Sequence, residues 1–138
     1  MRYNLTTMTR PYNQTCPIAR TLDVVGDRWT LLVVRDLFLG RRRFSELLQS
    51  SPGIPPKLLS GRLKRLEQHG LIERAIYSEH PLRAEYRLTE KGLTLAPVLE
   101  AILSWGLEQC FEGSQEMRDT VRRKLIAGVA AAGQDPAA

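Results

Sequence analysis

The sequence predicts a mainly helical α+β fold in which a β-hairpin follows two helices joined by a short turn. Its 138 residues, 43% apolar and 25% charged, match one ordinary globular domain. Apolar residues recur at helical spacing before residue 70 and after residue 90, whereas residues 71–88 have the composition of two strands. This order is that of a winged helix-turn-helix with a two-stranded β-hairpin as its wing and further helices on either side.

Helix start and stop residues define the first two helices. Pro17 is typical of a first helical turn, and Gly26 ends that segment. Asp27 is a suitable N-cap for a second helix over 28–39, and Gly40 stands where a helix end favours a left-handed residue.

The next two helices have the layout of a helix-turn-helix. A short helix begins near Phe44, and Pro52-Gly53 predict a turn. A fourth helix spans 56–69 and stops at Gly70. Two helices separated by such a turn are typical of DNA-binding proteins.

The second half of the chain begins with the hairpin. We expect strands over 71–77 and 84–88 joined by a polar loop over 78–83. Thr89 caps a helical stretch over 90–111, which Pro97 kinks or restarts, and residues 115–130 form a further helix. The predicted divisions are a flexible N-terminal arm (1–15), the winged helix-turn-helix domain with its flanking helices (16–112), and a C-terminal helix with a frayed tail (113–138).

Positive charge is concentrated in one segment. Residues 41–65 contain seven Lys/Arg and one acid, a net charge of +6, so the rest of a chain with net charge +5 sums to −1. A solvated surface is the alternative interpretation. So lopsided a cluster favours a surface for a polyanion, and nucleic acid is the first candidate.

The predicted helix over 56–69 has two contrasting faces. Leu59, Leu63 and Leu66 fall in one sector and face the core. The remaining surface suits the major groove of double-stranded DNA, because basic side chains and serine can contact phosphates and base edges. The predicted contacts on this helix are Lys57, Ser60, Gly61, Lys64 and Arg65.

Further predicted DNA contacts lie beside this helix. Arg41, Arg42 and Arg43 precede the third helix, where they can bind phosphates. Arg83 near the hairpin tip is placed to reach an adjacent minor groove.

Other functional classes find less support. Neither His69 nor His80 has a second histidine or a cysteine at metal-ligand spacing, and the sequence has no glycine-rich phosphate loop. We therefore expect no enzymatic activity, no bound metal and no cofactor. A winged helix used only for protein contacts stays open, although it has little need of this basic face. No membrane span or secretory signal is recognised, and two cysteines make no disulfide framework, so we expect a cytoplasmic protein.

The sequence resembles the HxlR-type family of bacterial transcription regulators over about residues 16–106. The resemblance is carried in order by Cys16-Pro17, Gly26-Asp27-Arg28-Trp29-Thr30, Phe44-Ser45-Glu46-Leu47, Pro52-Gly53-Ile54, Lys57-Leu58-Leu59-Ser60-Gly61-Arg62-Leu63, Leu66-Glu67, Gly70-Leu71-Ile72, Glu85-Tyr86-Arg87-Leu88-Thr89, Gly92, Pro97-Val98-Leu99 and Trp105-Gly106.

This resemblance implies a transcriptional regulator that binds a DNA operator as a homodimer. We expect a repressor, although the residues do not separate repression from activation, and a small-molecule effector stays open. The first and last helices of the domain would build the dimer interface. The interface residues expected on them are Ile18, Leu22, Leu95, Val98, Leu99, Ile102 and Trp105.

Cys16 is a candidate sensor of oxidants or electrophiles. It precedes Pro17 at a helix start, where the helix dipole favours a thiolate. Several HxlR-type regulators are similar in carrying a sensing cysteine at this position. The alternative is a small residue that packs against the partner subunit. We expect Cys110, which lacks this dipole support, to be inert.

Overall fold

The computed structural model describes Asn13 and residues 15–134, and within them it confirms a mainly helical chain with one β-hairpin. The strands pair antiparallel, with Ile72 opposite Leu88 at the base of the hairpin. The elements in chain order are α1 (Pro17–Val25), α2 (Thr30–Phe38), α3 (Phe44–Ser50), α4 (Pro56–Gln68), β1 (Ile72–Glu79), β2 (Leu82–Leu88), α5 (Glu90–Leu93), α6 (Ala96–Gln109) and α7 (Gln115–Gly133).

The helix-turn-helix consists of α3, a turn and α4, as predicted. Gly53 in the turn has φ = 93°, a conformation that glycine adopts without strain. Pro56 occupies the first turn of α4, where its missing N–H costs no hydrogen bond.

The core lies where α2, α4 and the base of the hairpin meet. Val33, Val34 and Phe38 of α2 pack with the leucine face of α4. The prediction that Leu59, Leu63 and Leu66 face inward is confirmed, because each is at most 1% exposed.

Helix α7 belongs to this core. Leu125 is buried in the same cluster as the leucines of α4, and Gly128 lies so close to α2 that a Cβ there would be 2.7 Å from the Phe38 carbonyl oxygen. The helix continues to Gly133, so the predicted end at residue 130, after which the frayed tail was expected, is three residues too early. Residues 135–138, and the arm over 1–15 apart from Asn13 and Thr15, lie outside the described residues.

The hairpin departs from the prediction in its connection. A polar loop over 78–83 was expected, but only His80 and Pro81 separate the strands. Ser78 pairs with Arg83 and Glu79 with Leu82. The strands stay paired through these polar residues because both faces of the distal hairpin are open to solvent, so no polar side chain has to be buried.

The starts of three helices test the predicted boundaries. Thr89 caps α5 by accepting a hydrogen bond from the Gly92 amide at 3.1 Å, and α6 restarts with Pro97 in its first turn, as predicted. In contrast, α2 begins at Thr30 rather than 28, with Trp29 as an N-cap residue that makes no side-chain capping bond. The Asp27 carboxylate, the predicted cap, accepts hydrogen bonds from the Trp29 amide and the Thr30 hydroxyl. No helix in the described part of the chain combines the length and apolar character of a membrane span.

Candidate nucleic-acid interface

The solvent-facing side of α4 carries positive charge and small side chains. Lys57, Ser60, Gly61 and Lys64 are all exposed, and the acidic residue nearest to them on the helix is Glu67, near its end. A Cβ at Gly61 would meet no atom of the described residues within 4 Å, so this point of the helix is open to another molecule. We call Lys57, Ser60, Gly61 and Lys64 the outer face of α4.

Arg62 turns away from this face and fixes the position of α4. Its side chain is 9% exposed, and its Nε donates to the Asp27 carboxylate at 2.7 Å. Burial opposes ionisation of Asp27, yet hydrogen bonds from Thr30 and Trp29 together with the Arg62 guanidinium hold the pKa of this carboxyl below its ordinary value. One charge of the basic segment is therefore neutralised inside the protein.

Arg65 also lies apart from the outer face. It is half-buried, and its guanidinium donates to the backbone carbonyl of Asp23 near the end of α1. Arg65 was predicted as a DNA contact from its position on the helix alone. In the structure the long side chain instead reaches sideways to the carbonyl group of Asp23 near the end of α1.

The three arginines before α3 contact different groups of the protein. The guanidinium of Arg41 lies 3.8 Å from the buried carboxylate of Asp36, whereas exposed Arg43 lies 3.8 Å from Glu85 and over the Tyr77 ring. The backbone carbonyl of Arg42 accepts a hydrogen bond from the Tyr86 amide at 2.7 Å. We call Arg41, Arg42 and Arg43 the arginine segment; this backbone bond joins it to the hairpin, which no sequence pattern indicated.

Glu46 stabilises the start of α3 beside the arginine segment. Its carboxylate accepts hydrogen bonds from the backbone amides of Arg43 at 2.9 Å and Arg42 at 3.3 Å. These bonds hold the pKa of Glu46 below its ordinary value. The one acid of the basic segment therefore acts as a helix cap.

Arg83 is exposed on β2, directly opposite Ser78 and one residue from the hairpin connection. It was expected in a loop, and the paired backbone holds it more firmly than a loop would. The wing thus presents a cation at its tip.

Exposed apolar side chains mark a second surface. Ile18 is 71% exposed, Leu22 42%, Ile102 50% and Trp105 65%, while Leu95 and Val98 are half-buried. The prediction that Leu99 lies in the dimer interface is wrong. Leu99 is 7% exposed and packs in the core of its own chain, because its position on α6 faces α2 and α7. The sequence missed Met117, Val121 and Ile126 on α7, which are also exposed.

Both cysteines are free and exposed. Cys16 is the N-cap residue of α1, one turn or less from Ile18, and Cys110 is the C-cap residue of α6. The structure thus places Cys16 at the edge of the exposed apolar surface on α1.

Other chemistry finds no assembled site in the described part of the chain. Within residues 15–134 no three His, Cys, Asp or Glu side chains cluster to hold a metal.

Burial lowers the pKa of His69, and the positive charges of Arg65 and Lys91 lower it further.

Comparison with known proteins identifies the same segment. Residues 24–114 match the HxlR-like helix-turn-helix family. An HTH-type transcriptional regulator of Synechocystis sp. is 45% identical over 91 residues, which are 66% of this chain and 67% of that protein. YvaP of Bacillus subtilis, also an HTH-type transcriptional regulator, is 40% identical over 70% of this chain and 90% of its own. The chain spans 57% of the length of a related regulator from Mycobacterium tuberculosis.

Solved structures agree with this match. The reduced form of the transcriptional regulator YodB from B. subtilis superimposes with a TM-score of 0.60 at 35% identity, over 73% of this chain and all of that one. The redox regulator HypR in its oxidised form superimposes with a TM-score of 0.65 at 34% identity, over 70% of this chain and all of that one. These matches confirm the winged helix-turn-helix, and the chain belongs to the HxlR-like helix-turn-helix family of transcriptional regulators.

Proposed function

We propose that this protein is a sequence-specific transcriptional repressor that binds double-stranded DNA as a homodimer. The observation that carries the proposal is the outer face of α4, which is exposed, has no acidic residue from Lys57 to Lys64, and is held in place by Arg62. In this proposal α4 enters the major groove and Lys64 contacts phosphate or a guanine edge. No cofactor takes part, and the protein acts in the cytoplasm.

The arginine segment and Arg83 would flank the groove. Arg42 and Arg43 lie beside the start of α3, and Arg83 lies at the tip of the wing. Phosphate contacts from both sides fix the register of α4 on the duplex without reading sequence. Arg65 does not join these contacts while it is bonded to α1.

The test is gel retardation and footprinting on the DNA that flanks the protein's own gene. Lys64→Glu replaces a cation on the outer face by an anion, and we expect DNA affinity to fall at least about tenfold. Arg123→Glu makes the same charge change at an exposed site on α7 and is the matched control. Normal binding by Lys64→Glu, with footprints unchanged, would show that the outer face of α4 is not the DNA-binding surface.

The homodimer would form through the exposed apolar residues of α1 and α6. Ile18 and Leu22 lie on α1, and Val98, Ile102 and Trp105 on α6, with Leu95 just before it. Large exposed apolar patches on small proteins mark interaction surfaces. Leu99 is left out of the proposed interface because it is buried in the protomer.

A redox role is proposed for Cys16. It is exposed at the start of α1, beside the proposed interface, and the similar structures include HypR in its oxidised form and YodB treated with diamide. Modification there would alter the relative position of the two α4 helices. We expect diamide or a quinone to change DNA affinity of the parent and of Cys110→Ser, but not of Cys16→Ser. Unchanged binding by protein fully modified at Cys16 would leave only its packing role.

A further inference from the structure

Glu85 lies between two guanidinium groups where the wing meets the start of α3. One of its carboxylate oxygens is 3.8 Å from Nε of Arg43, and the other is 3.6 Å from Nη2 of Arg87. The Glu85 side chain is largely buried, with 25% of it exposed. A negative charge at this place lowers the attraction of the surrounding cations for phosphate, so a gain in DNA affinity does not explain it.

Arg43 is held against the hairpin by two different contacts. Its guanidinium lies beside Glu85 and also over the ring of Tyr77, 5.2 Å from the ring centroid. The backbone carbonyl of the preceding residue, Arg42, is bonded to the Tyr86 amide. Together these contacts restrict a long side chain that would otherwise sample many rotamers.

The restrained Arg43 is nevertheless open to a further acceptor. Its side chain is 53% exposed, and the nitrogen that faces Glu85 is Nε. The terminal nitrogens of an arginine are the pair that binds a phosphate in a bidentate manner. Arg43 can therefore contact a phosphate while it stays beside Glu85.

We propose that Glu85 is a positioning residue that makes DNA binding more specific by restraining Arg43. The inference rests on the proposed function, because it concerns a DNA contact of the arginine segment. On the operator α4 sits fully in the groove, and Arg43 binds the phosphate that this position brings to it. On other sequences the nearest phosphate lies elsewhere, and Arg43 reaches it only by giving up Glu85 and Tyr77. That loss penalises the wrong sequences although Arg43 reads no base.

The test compares Glu85→Gln with the parent on two duplexes of equal length, the footprinted operator and a scrambled sequence of the same composition. Quantitative gel retardation gives the dissociation constant for each duplex. We expect affinity for the scrambled duplex to rise about threefold to tenfold, because Arg43 is freed and a negative charge is removed, while affinity for the operator changes less than about twofold. On the scrambled duplex the slope of log affinity against log salt steepens by about one for each protomer bound.

Two further variants separate restraint from charge. Glu79→Gln removes the same charge from an exposed position near the wing tip, where the residue pairs with Leu82. It changes affinity for both duplexes by the same factor and leaves their ratio unchanged. Tyr77→Leu removes the ring beneath Arg43 without changing the net charge, and it lowers the ratio of operator to scrambled affinity as Glu85→Gln does.

A double variant tests whether Glu85 acts through Arg43. In an Arg43→Gln background the side chain that Glu85 restrains is gone, so adding Glu85→Gln leaves the affinity ratio unchanged. A general structural effect of Glu85 on the wing would persist in this background. Urea unfolding of each variant verifies that the proteins compared are folded.

Three results each overturn the inference: an unchanged ratio in Glu85→Gln or in Tyr77→Leu, an equal fall of the ratio in Glu79→Gln, or a fall caused by Glu85→Gln that persists without Arg43. All three leave the proposed function standing, since the parent still binds its operator. A parent that retards neither duplex overturns the proposed function and this role of Glu85 with it.

Discussion

At the level of single residues, the Asp27 carboxylate accepts hydrogen bonds from three donors. The Trp29 amide and the Thr30 hydroxyl come from the start of α2, and the Arg62 guanidinium comes from α4, 35 residues away in the chain. The largely buried pair Asp27–Arg62 therefore sets the distance between α2 and the outer face of α4. Removing one partner leaves the other with unmet hydrogen bonds, which costs more than the pair itself contributes.

Asp27→Asn should destabilise the fold and flatten its acid response. We expect the free energy of unfolding at neutral pH to fall by about 2 kcal/mol, because Arg62 loses its counter-charge. Folding lowers the pKa of Asp27 from its ordinary value of 3.8, so its stabilisation is present above that value and is lost as pH falls through the lower folded-state pKa. Urea unfolding between about pH 6 and pH 2.5 measures both effects.

Asp119→Asn on the exposed side of α7 is the control, and it should retain the stability and the acid response of the parent. If Asp27→Asn loses stability on acidification as steeply as the parent does, another carboxylate carries the acid response.

Arg62 and Arg65 also show what the sequence could not predict about single side chains. The helical period predicted the buried leucines of α4, because that period depends only on neighbours along the helix. It left open which basic residues turn inward, since their partners Asp27 and Asp23 are distant in sequence. Leu99 was assigned to the interface for the same reason, as its neighbours on α2 and α7 were unknown.

At the level of elements, α5 packs against the base of the hairpin without an intervening side chain. A Cβ on Gly92 would overlap the carbonyl oxygen of Leu71 and crowd Leu88. Thr89 closes the same corner, because its hydroxyl donates to the Gly70 carbonyl at 2.5 Å and accepts from the Gly92 amide. The hairpin is thereby attached to the helices at its base.

Gly92→Ala should destabilise the fold by about 2–3 kcal/mol, because the methyl group forces backbone apart at the hairpin base. Gly61→Ala is the matched control on the open face of α4, where a Cβ meets no described atom within 4 Å. That change should be neutral or stabilising by up to about 1 kcal/mol through helix propensity. Urea unfolding of both variants is the measurement, and equal stability of the two would contradict the close approach at Gly92.

The type and order of the elements followed from sequence, but the hairpin connection did not. Glycine and proline positions and apolar spacing predicted the four helices before residue 70 and the restart at Pro97. The polar composition of residues 78–83 predicted a loop, yet the strands extend through it. Pairing of Ser78 with Arg83 depends on the backbone of the opposite strand, which composition does not reveal.

At the level of the whole molecule, the predicted DNA contacts and most of the large exposed apolar residues lie on different elements. The predicted DNA contacts lie on α4, before α3 and at the hairpin tip, whereas α1, α6 and α7 carry most of the large exposed apolar side chains, and the hairpin carries Ile76, Tyr77 and Leu82. This separation is typical of a protein that binds a polyanion with one surface and itself with another.

Trp105→Glu should convert the proposed dimer to a monomer. Trp105 is 65% exposed on α6, so the change places a charge in the interface without disturbing the core. Sedimentation equilibrium measures the state of association, and gel retardation should show weaker DNA binding, because a monomer cannot span two half-sites about 34 Å apart.

Ile76→Glu, an equivalent change on the exposed hairpin, should leave the dimer intact and serves as the control. A Trp105→Glu protein that still sediments as a dimer would place the interface on other residues.

The hydrogen bond between the Tyr86 amide and the Arg42 carbonyl ties the backbone of the wing to that of the arginine segment. In the proposed complex this tie limits the separation of the cations on the two segments, so a duplex must supply phosphates at a matching spacing or bend until it does. The energy of that bending depends on base sequence even where no side chain touches a base. In the proposed complex, operators of unsuitable groove width would therefore be rejected by their stiffness as well as by their bases.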